Sequence, residues 1–385
     1  MRILLDARMW RWTGIGTYVR VLLEGFGEIL HGGGHEVACL VPPADLPVFP
    51  LPGGPDASGA VRAVPCDVRV YSPWEIPGLR RALRSRDFDL AHFPHYIYPY
   101  RAGFPAVVTI HDLIHLRFPS DHKTPLHYAY ARHVLPRSAR AARRIITVSQ
   151  HSKDDIVSRL EMPAEKVKVI HNGLARGFSP DPDGDAALRV RKAVGLDGPY
   201  VLYVGNAKAH KNLQGLLRAY RQLTARMERE DPGRKKPALA ATVRREELRP
   251  GAADAGLEGV HFLGPVSGGT LADLYRAAAV FAFPSRYEGF GYPPLEAMAC
   301  GTPVVCSDAA SLPEVVGDAA IQVPPDNLDR LSSALYDLLT REDLRIRLRS
   351  EGLKRVQSFT ARGMAQAAWK VYEEAVEVDS ADRDE

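Results

Sequence analysis

No apolar run in this 385-residue chain approaches the roughly 20 residues that a membrane-spanning helix needs. Cysteine is scarce. The four present, Cys39, Cys66, Cys300 and Cys306, lack the spacing of a disulfide framework or a zinc site. They read as small core residues of a protein in a reducing cytoplasm. The opening MRILLDA is too short, and too soon interrupted by Asp6 and Arg8, to read as a signal peptide. Repeats and low-complexity segments are also missing, which sets aside solenoids and linker-rich scaffolds. What is left is ordinary: 45% hydrophobic and 25% charged residues, enough chain for two domains.

The net charge of +4 hides an asymmetry. Residues 1–175 carry 22 Lys/Arg against 16 Asp/Glu, and the remainder 28 against 30. Basic residues cluster at Arg80, Arg81, Arg84 and Arg86, and at Arg132, Arg137, Arg140, Arg143 and Arg144, with Trp74, Tyr128 and Tyr130 among them. Such a patch suits an anionic membrane surface or an acidic substrate, and a solvated helix face has the same composition. No nucleic-acid recognition motif accompanies it, so no nucleic-acid partner is expected.

Short apolar runs alternate with helix-like runs along the whole chain, which predicts parallel sheets covered by helices. Candidate strands are Arg2–Asp6, Glu36–Val41, Leu90–Phe93, Ala106–Ile110 and Arg144–Val148, then Tyr200–Gly205, Ala238–Val243, Val260–Leu263, Val280–Phe283 and Pro303–Cys306. A Pro-, Gly- and Asp-rich pause at residues 178–198 puts a boundary near 173–180. The expected fold is α/β: two doubly wound, Rossmann-like domains, residues 1–175 and 176–364. The acidic stretch Glu377 to Glu385 reads as a disordered tail.

The richest segment is Phe283 to Ser307, FPSRYEGFGYPPLEAMACGTPVVCS. An apolar strand precedes it, and Leu295–Ala299 reads as the start of a helix stopped by Gly301 and Pro303. Glu288 then falls on a loop after a strand, and Glu296 just inside a helix. Between them Gly289, Phe290, Gly291, Pro293 and Pro294 make a turn whose free amides can hold a phosphate. Either carboxylate alone could be a helix-capping residue. Together with the glycines they suit a ligand bearing both phosphate and sugar hydroxyls: a nucleotide-sugar.

This segment resembles the E-x7-E signature of retaining glycosyltransferases, most closely family 4 of the GT-B fold. The resemblance implies two facing Rossmann-like domains, the first binding acceptor and the second donor. It also implies a last helix, about 365–378, that packs back on the first domain. Glu296 would then hold the nucleotide ribose, and Glu288 with the Gly289–Gly291 amides the sugar hydroxyls and phosphate.

Three further motifs fit that picture. Thr13-Gly14-Ile15-Gly16-Thr17 follows the first strand and precedes a helix expected at Tyr18–Leu30. It is a close-approach loop, and Val19 stands where a dinucleotide fingerprint would need its third glycine. The family puts such a loop at the donor phosphates and acceptor, which brings in Gly14 and Gly16. His111-Asp112-Leu113-Ile114-His115 could suggest a metal site, yet no third ligand cluster accompanies it. It resembles the family's His-Asp loop, which places His111 against the donor sugar. Gly205 to Asn212, GNAKAHKN, puts cations at a strand end, where they suit a departing diphosphate. Lys211 matches the family's lysine. Asn206 stands where many members have arginine, and Lys208 is the candidate substitute.

The expected activity is that of a retaining hexosyltransferase (EC 2.4) without metal or other cofactor. GDP-mannose is the leading donor, because HDLIHLRFP resembles mannosyltransferases of bacterial surface polysaccharides. A saccharide or lipid-linked saccharide would be the acceptor, reached at the inner face of the cell membrane. A UDP-sugar-dependent enzyme and a catalytically idle nucleotide-sugar-binding partner subunit stay open as alternatives. A GT-B epimerase would be expected to lack the E-x7-E arrangement, and a phosphorylase would need a lysine-bound pyridoxal phosphate in a longer chain.

Overall fold

A computed structural model describes residues 1–30, 34–52, 60–84, 87–100, 103–119, 125–181, 183–248 and 258–381. Arg86 and residues 382–385 lie outside the described residues. The chain divides into two units: Met1–Ala175 with Phe359–Glu385, and Arg176–Ser358.

The first unit is built on seven parallel strands: β1 (Arg2–Asp6), β2 (Glu36–Val41), β3 (Val61–Pro65), β4 (Leu90–Phe93), β5 (Ala106–Thr109), β6 (Arg144–Thr147) and β7 (Val167–Val169). Their order is β3-β2-β1-β4-β5-β6-β7. The second has six: β8 (Tyr200–Tyr203), β9 (Ala238–Ala241), β10 (Val260–Phe262), β11 (Val280–Phe283), β12 (Val304–Ser307) and β13 (Ile321–Val323). Their order is β10-β9-β8-β11-β12-β13, again all parallel. Helices on both faces of a parallel sheet leave central strands without a wet side. LAHF of β4, YVLY of β8 and VFAF of β11 are accordingly buried at every position.

Three strands escape the sequence pattern: β3, β7 and β13. All three are edge strands interrupted by a polar residue (Arg62, Lys168, Gln322). The fourth edge strand, β10, has His261 in the same role but is followed by a further apolar residue, Leu263. A three- to five-residue edge strand buries too little to leave an apolar run. The first helix also starts earlier than expected, at Ile15 rather than Tyr18.

The last helix, Ala361–Ala381, belongs to the first unit and begins four residues before the expected 365. It also carries the chain as helix through Glu377–Ala381, so the acidic stretch is not a tail from Glu377 onward. Ala365, Ala368, Trp369, Tyr372 and Ala375 form its buried stripe at helical spacing. Trp369 and Tyr372 pack on Phe26 of the helix Ile15–Ile29, with ring centroids 6.0 and 6.2 Å away. The Tyr372 hydroxyl meets Nδ1 of the buried His92 at 2.6 Å. His92 Nε2 lies 2.8 Å from Thr109 Oγ1, which also meets the Tyr18 hydroxyl at 3.0 Å. This polar chain joins two helices to β4 and β5 and satisfies a histidine whose pKa burial pushes down to about 3.

In each sheet the strand order reverses at one place, between β1 and β4 and between β8 and β11. Loops leaving adjacent strands there go to opposite faces, and ligands of such sheets bind in the crevice this opens at the carboxyl ends.

Candidate active site

The loops after β8 and β11 carry the residues singled out in the second unit. After β8 the chain is folded tightly on itself. The Tyr203 hydroxyl donates to the carbonyl of Asn206 at 2.8 Å, and Asn206 Oδ1 accepts from the amide of Lys208 at 3.1 Å. Asn206 therefore closes the turn where an arginine was expected, and Lys208 is exposed. A short 3-10 turn, Ala209–Lys211, ends at Asn212, which is left-handed (φ 55) and donates from Nδ2 to the Pro325 carbonyl at 2.6 Å.

That turn delivers Lys211 to Glu288, 77 residues away. Nζ lies 2.8 Å from Oε1 and 2.9 Å from Oε2, and 5.2 Å from the centroid of the Phe283 ring. The two loops are tied by their backbones as well, the Arg286 amide donating to the His210 carbonyl at 2.7 Å. Glu288 is 8% exposed. A carboxylate so enclosed needs its charge matched, and Lys211 matches it.

The turn between the two glutamates is held from beneath. The Ser311 hydroxyl is shared between the carbonyls of Glu288 and Phe290, at 2.9 and 2.8 Å. Gly291 has φ 115, and a Cβ there would lie 2.8 Å from Leu312 Cδ2, so both backbone and space call for glycine. The helix spans Tyr292–Ala299, three residues longer at its start than expected. Pro293 and Pro294 thus lie in its first turn, where a missing amide hydrogen costs nothing.

Glu296 lies within this helix and is 9% exposed. Its Oε2 accepts from the Tyr275 hydroxyl at 3.0 Å. Burial pushes its pKa up to about 7, against the lowering effect of that bond. A carboxyl poised there suits a site that gains donors when a ligand arrives.

The other expected residues lie in the first unit. Gly14 immediately precedes the helix Ile15–Ile29, and a Cβ on Gly16 would collide with the carbonyl of Trp10. The loop after β1 is thereby folded against its own helix. His111 follows β5, with Nε2 3.0 Å from the Pro94 carbonyl and its ring edge-on to Tyr18 at 4.9 Å. Burial lowers its pKa, against the pull of the Pro94 carbonyl and Asp112. A neutral imidazole facing a carbonyl through Nε2 must carry its hydrogen there, which leaves Nδ1 as an acceptor. Asp112 is occupied locally, its Oδ1 accepting from the amide of Ile114 at 2.9 Å. Among the described residues no group of three or more His, Cys, Asp or Glu is arranged to hold a metal ion. No described helix is long and apolar enough to cross a membrane.

The structure thus brings Lys211, Glu288 and the Gly289–Gly291 turn into one cluster, with Asn206 and Lys208 on the same loop as Lys211. Gly14, Gly16 and His111 belong to the other unit. Sequence reasoning missed Tyr275, Ser311 and Phe283 as supports of this site. Tyr275 and Ser311 lie outside the motif and carry no signal of their own. Phe283 was read only as the end of a strand.

Two family models divide the chain in the same way. Residues 12–178 match that described as Glycosyltransferase Family 4, and residues 186–355 that described as Glycosyl transferases group 1. The O-antigen chain mannosyltransferase B of Escherichia coli is 33% identical over 298 residues, covering 75% of this chain and 72% of the relative. An MMP alpha-(1->4)-mannosyltransferase of Mycolicibacterium hassiacum is 30% identical over 317 residues, covering 76% and 72%. Among solved structures, HepE of Anabaena in complex with UDP and glucose superposes with a TM-score of 0.73 at 18% identity, covering 97% of this chain and 100% of that one. Two parallel-sheet units of this topology, matched along their length by these models and relatives, make the chain a member of the group 1 and family 4 glycosyltransferases, with the α/β GT-B fold.

Proposed function

We propose that the protein is a retaining hexosyltransferase that moves mannose from GDP-mannose to a saccharide or lipid-linked saccharide acceptor in cell-surface glycan biosynthesis. The observation that carries this reading is the meeting of Lys211 with Glu288 at the switch point of the second sheet, beside a glycine turn and a helix N-terminus. Cation, amides and carboxylate are the groups that a sugar diphosphate needs. The mannosyltransferase relatives support the choice of sugar.

In this reading Glu296 accepts the two ribose hydroxyls, for which its Oε1 and its poised carboxyl suit it. The Gly289–Gly291 amides and Glu288 take the diphosphate and sugar hydroxyls. Lys211 meets the charge that grows as the bond from C1 to the phosphate oxygen breaks. A new bond from C1 to the acceptor oxygen forms on the same face, and the acceptor proton passes to the departing phosphate. His111, which matches the family's His-Asp loop, is the first unit's candidate to bind a sugar hydroxyl, through Nδ1. Lysine and amides supply the electrostatic stabilisation, so no step is assigned to a metal ion. The basic face of the first unit would hold the enzyme at the anionic inner face of the cell membrane.

The test is thermal stabilisation of the protein and of Glu296→Ala by a nucleotide panel, followed by transfer from the preferred donor with the product's anomeric configuration read by NMR. A shift with GDP, lost in Glu296→Ala, and a product of retained configuration are expected. A preference for UDP would overturn the donor, an alternative favoured by the structural likeness to a protein solved with UDP and glucose. No shift with any nucleotide would leave an idle partner subunit that binds nucleotide weakly or not at all.

A further inference from the structure

The loops at the carboxyl ends of the first sheet hold a group of side chains that the donor reading does not use. Trp12 follows β1, Tyr71 follows β3 and His95 follows β4, so two of the three leave the strands that flank the switch point. Trp12 and Tyr71 are 42% and 44% exposed, their ring centroids 5.5 Å apart and their planes tilted by 35°. Large aromatics left open in pairs present flat apolar faces to a ligand, not to the core.

This pair is held at a cost. Tyr71 has a positive φ of 57, a strained backbone for a residue with a bulky side chain. Its amide donates to Glu75 Oε2 at 2.7 Å. Glu75 is fully buried, and its other oxygen accepts from Arg8 Nη2 at 2.9 Å. Arg8 in turn meets Asp6 at 2.7 and 2.8 Å and the Val68 carbonyl at 2.8 Å. Burial of three charged groups carries a desolvation penalty on the order of what their pairing returns. A cluster of this kind is better explained by the loop that it fixes than by stability.

His95 provides the polar end. It is 7% exposed, with Nε2 3.0 Å from the Tyr71 hydroxyl and Nδ1 without a partner among the described residues. An enclosed ring nitrogen left unpaired is an unspent hydrogen bond. A sugar hydroxyl, which both donates and accepts, satisfies it in either tautomer.

We propose that Trp12, Tyr71 and His95 form a seat for a pyranose ring and read the terminal sugar of the acceptor. The seat deepens the transferase reading and rests on it. The apolar face of the ring lies on Trp12 and Tyr71, and one hydroxyl bonds His95. Arg8 and Glu75 are positioning residues that act through the Tyr71 loop.

The test is 19F NMR of the full chain carrying 5-fluorotryptophan, whose four tryptophans give four lines, that of Trp12 assigned with Trp12→Phe. Methyl glycosides of mannose, glucose, galactose and N-acetylglucosamine are the probes. At least one is expected to move the Trp12 line saturably and leave those of Trp74 and Trp369 in place. Tyr71→Phe, which keeps the ring and loses the bond to His95, should weaken that binding about three- to tenfold. Nucleotide-induced thermal shifts should be unchanged in both variants. No movement of the Trp12 line by any glycoside overturns the seat, as does movement by GDP or UDP alone, which would make the pair a base-stacking surface. Loss of the nucleotide shifts with a responsive Trp12 line would sink the transferase reading and leave a sugar-binding protein.

Discussion

The ammonium of Lys211 spans both carboxylate oxygens of Glu288, at 2.8 and 2.9 Å, so the cation proposed to meet the diphosphate is already paired. A donor must draw Lys211 partly away from Glu288. Glu288→Gln is therefore expected to bind bare GDP about two- to fivefold more tightly and to transfer mannose more slowly, because the sugar loses its carboxylate. Lys211→Ala should lower turnover by about 10²- to 10³-fold. Calorimetric titration with GDP beside initial rates separates the two effects. Weaker GDP binding in Glu288→Gln would refute the competition.

Glu296 gives the ligand-free protein a pH dependence of definite sign. Its folded pKa is about 7 against an ordinary 4.5. Below 4.5 the carboxyl is protonated in both states. As the pH rises from there to 7 the unfolded chain gives up this proton first, and the fold loses on the order of 3 kcal/mol by the top of that range. Glu296→Gln should remove this slope and be the more stable protein above pH 7. Urea unfolding of parent and variant across the range checks it, and parallel profiles would count against it.

Gly291→Ala sets a side chain at φ 115 and 2.8 Å from Leu312. The expected cost is about 1–3 kcal/mol, and a shorter residue at 312 would recover only the steric share. A variant of unchanged melting temperature would show that the turn relaxes freely.

Tyr372→Phe removes the hydroxyl 2.6 Å from His92 Nδ1. A buried ring nitrogen then loses its partner, at about 1–3 kcal/mol. Denaturant unfolding measures this, and the fluorescence of Trp369 beside Tyr372 reports whether the last helix has loosened.

Membrane attraction should follow charge on the helix Glu75–Leu83 and its exposed flanking residues Trp74 and Arg84. Arg81→Glu with Arg84→Glu is expected to abolish sedimentation with anionic vesicles at low salt, and Trp74→Ala to weaken it. Absence of vesicle binding by the parent protein removes the proposal.

Legibility in the sequence tracked distance along the chain. The E-x7-E segment could be read because its strand, turn and helix are consecutive, and the central strands because full burial makes them apolar throughout. Lys211 and Glu288 were each legible, yet their pairing was not, since 77 residues separate them and the β8–β11 pairing brings their loops together. Tyr275 and Ser311 serve the site through one hydroxyl each, which leaves no pattern. The buried cluster of Arg8, Asp6 and Glu75 ran against expectation for a more basic reason: composition reads charged residues as surface, and only geometry reveals them inside.

The helix Ala361–Ala381 closes the first unit although the whole second unit is encoded before it. During synthesis, then, the amino-terminal half waits uncovered, with Tyr18, Phe26 and His92 lacking their lid, while some 180 residues of its neighbour are made and folded. The unit made first is the unit finished last, which makes its maturation hostage to complete translation. A nonsense mutation ahead of residue 361 would damage the half of the protein farthest from it in sequence.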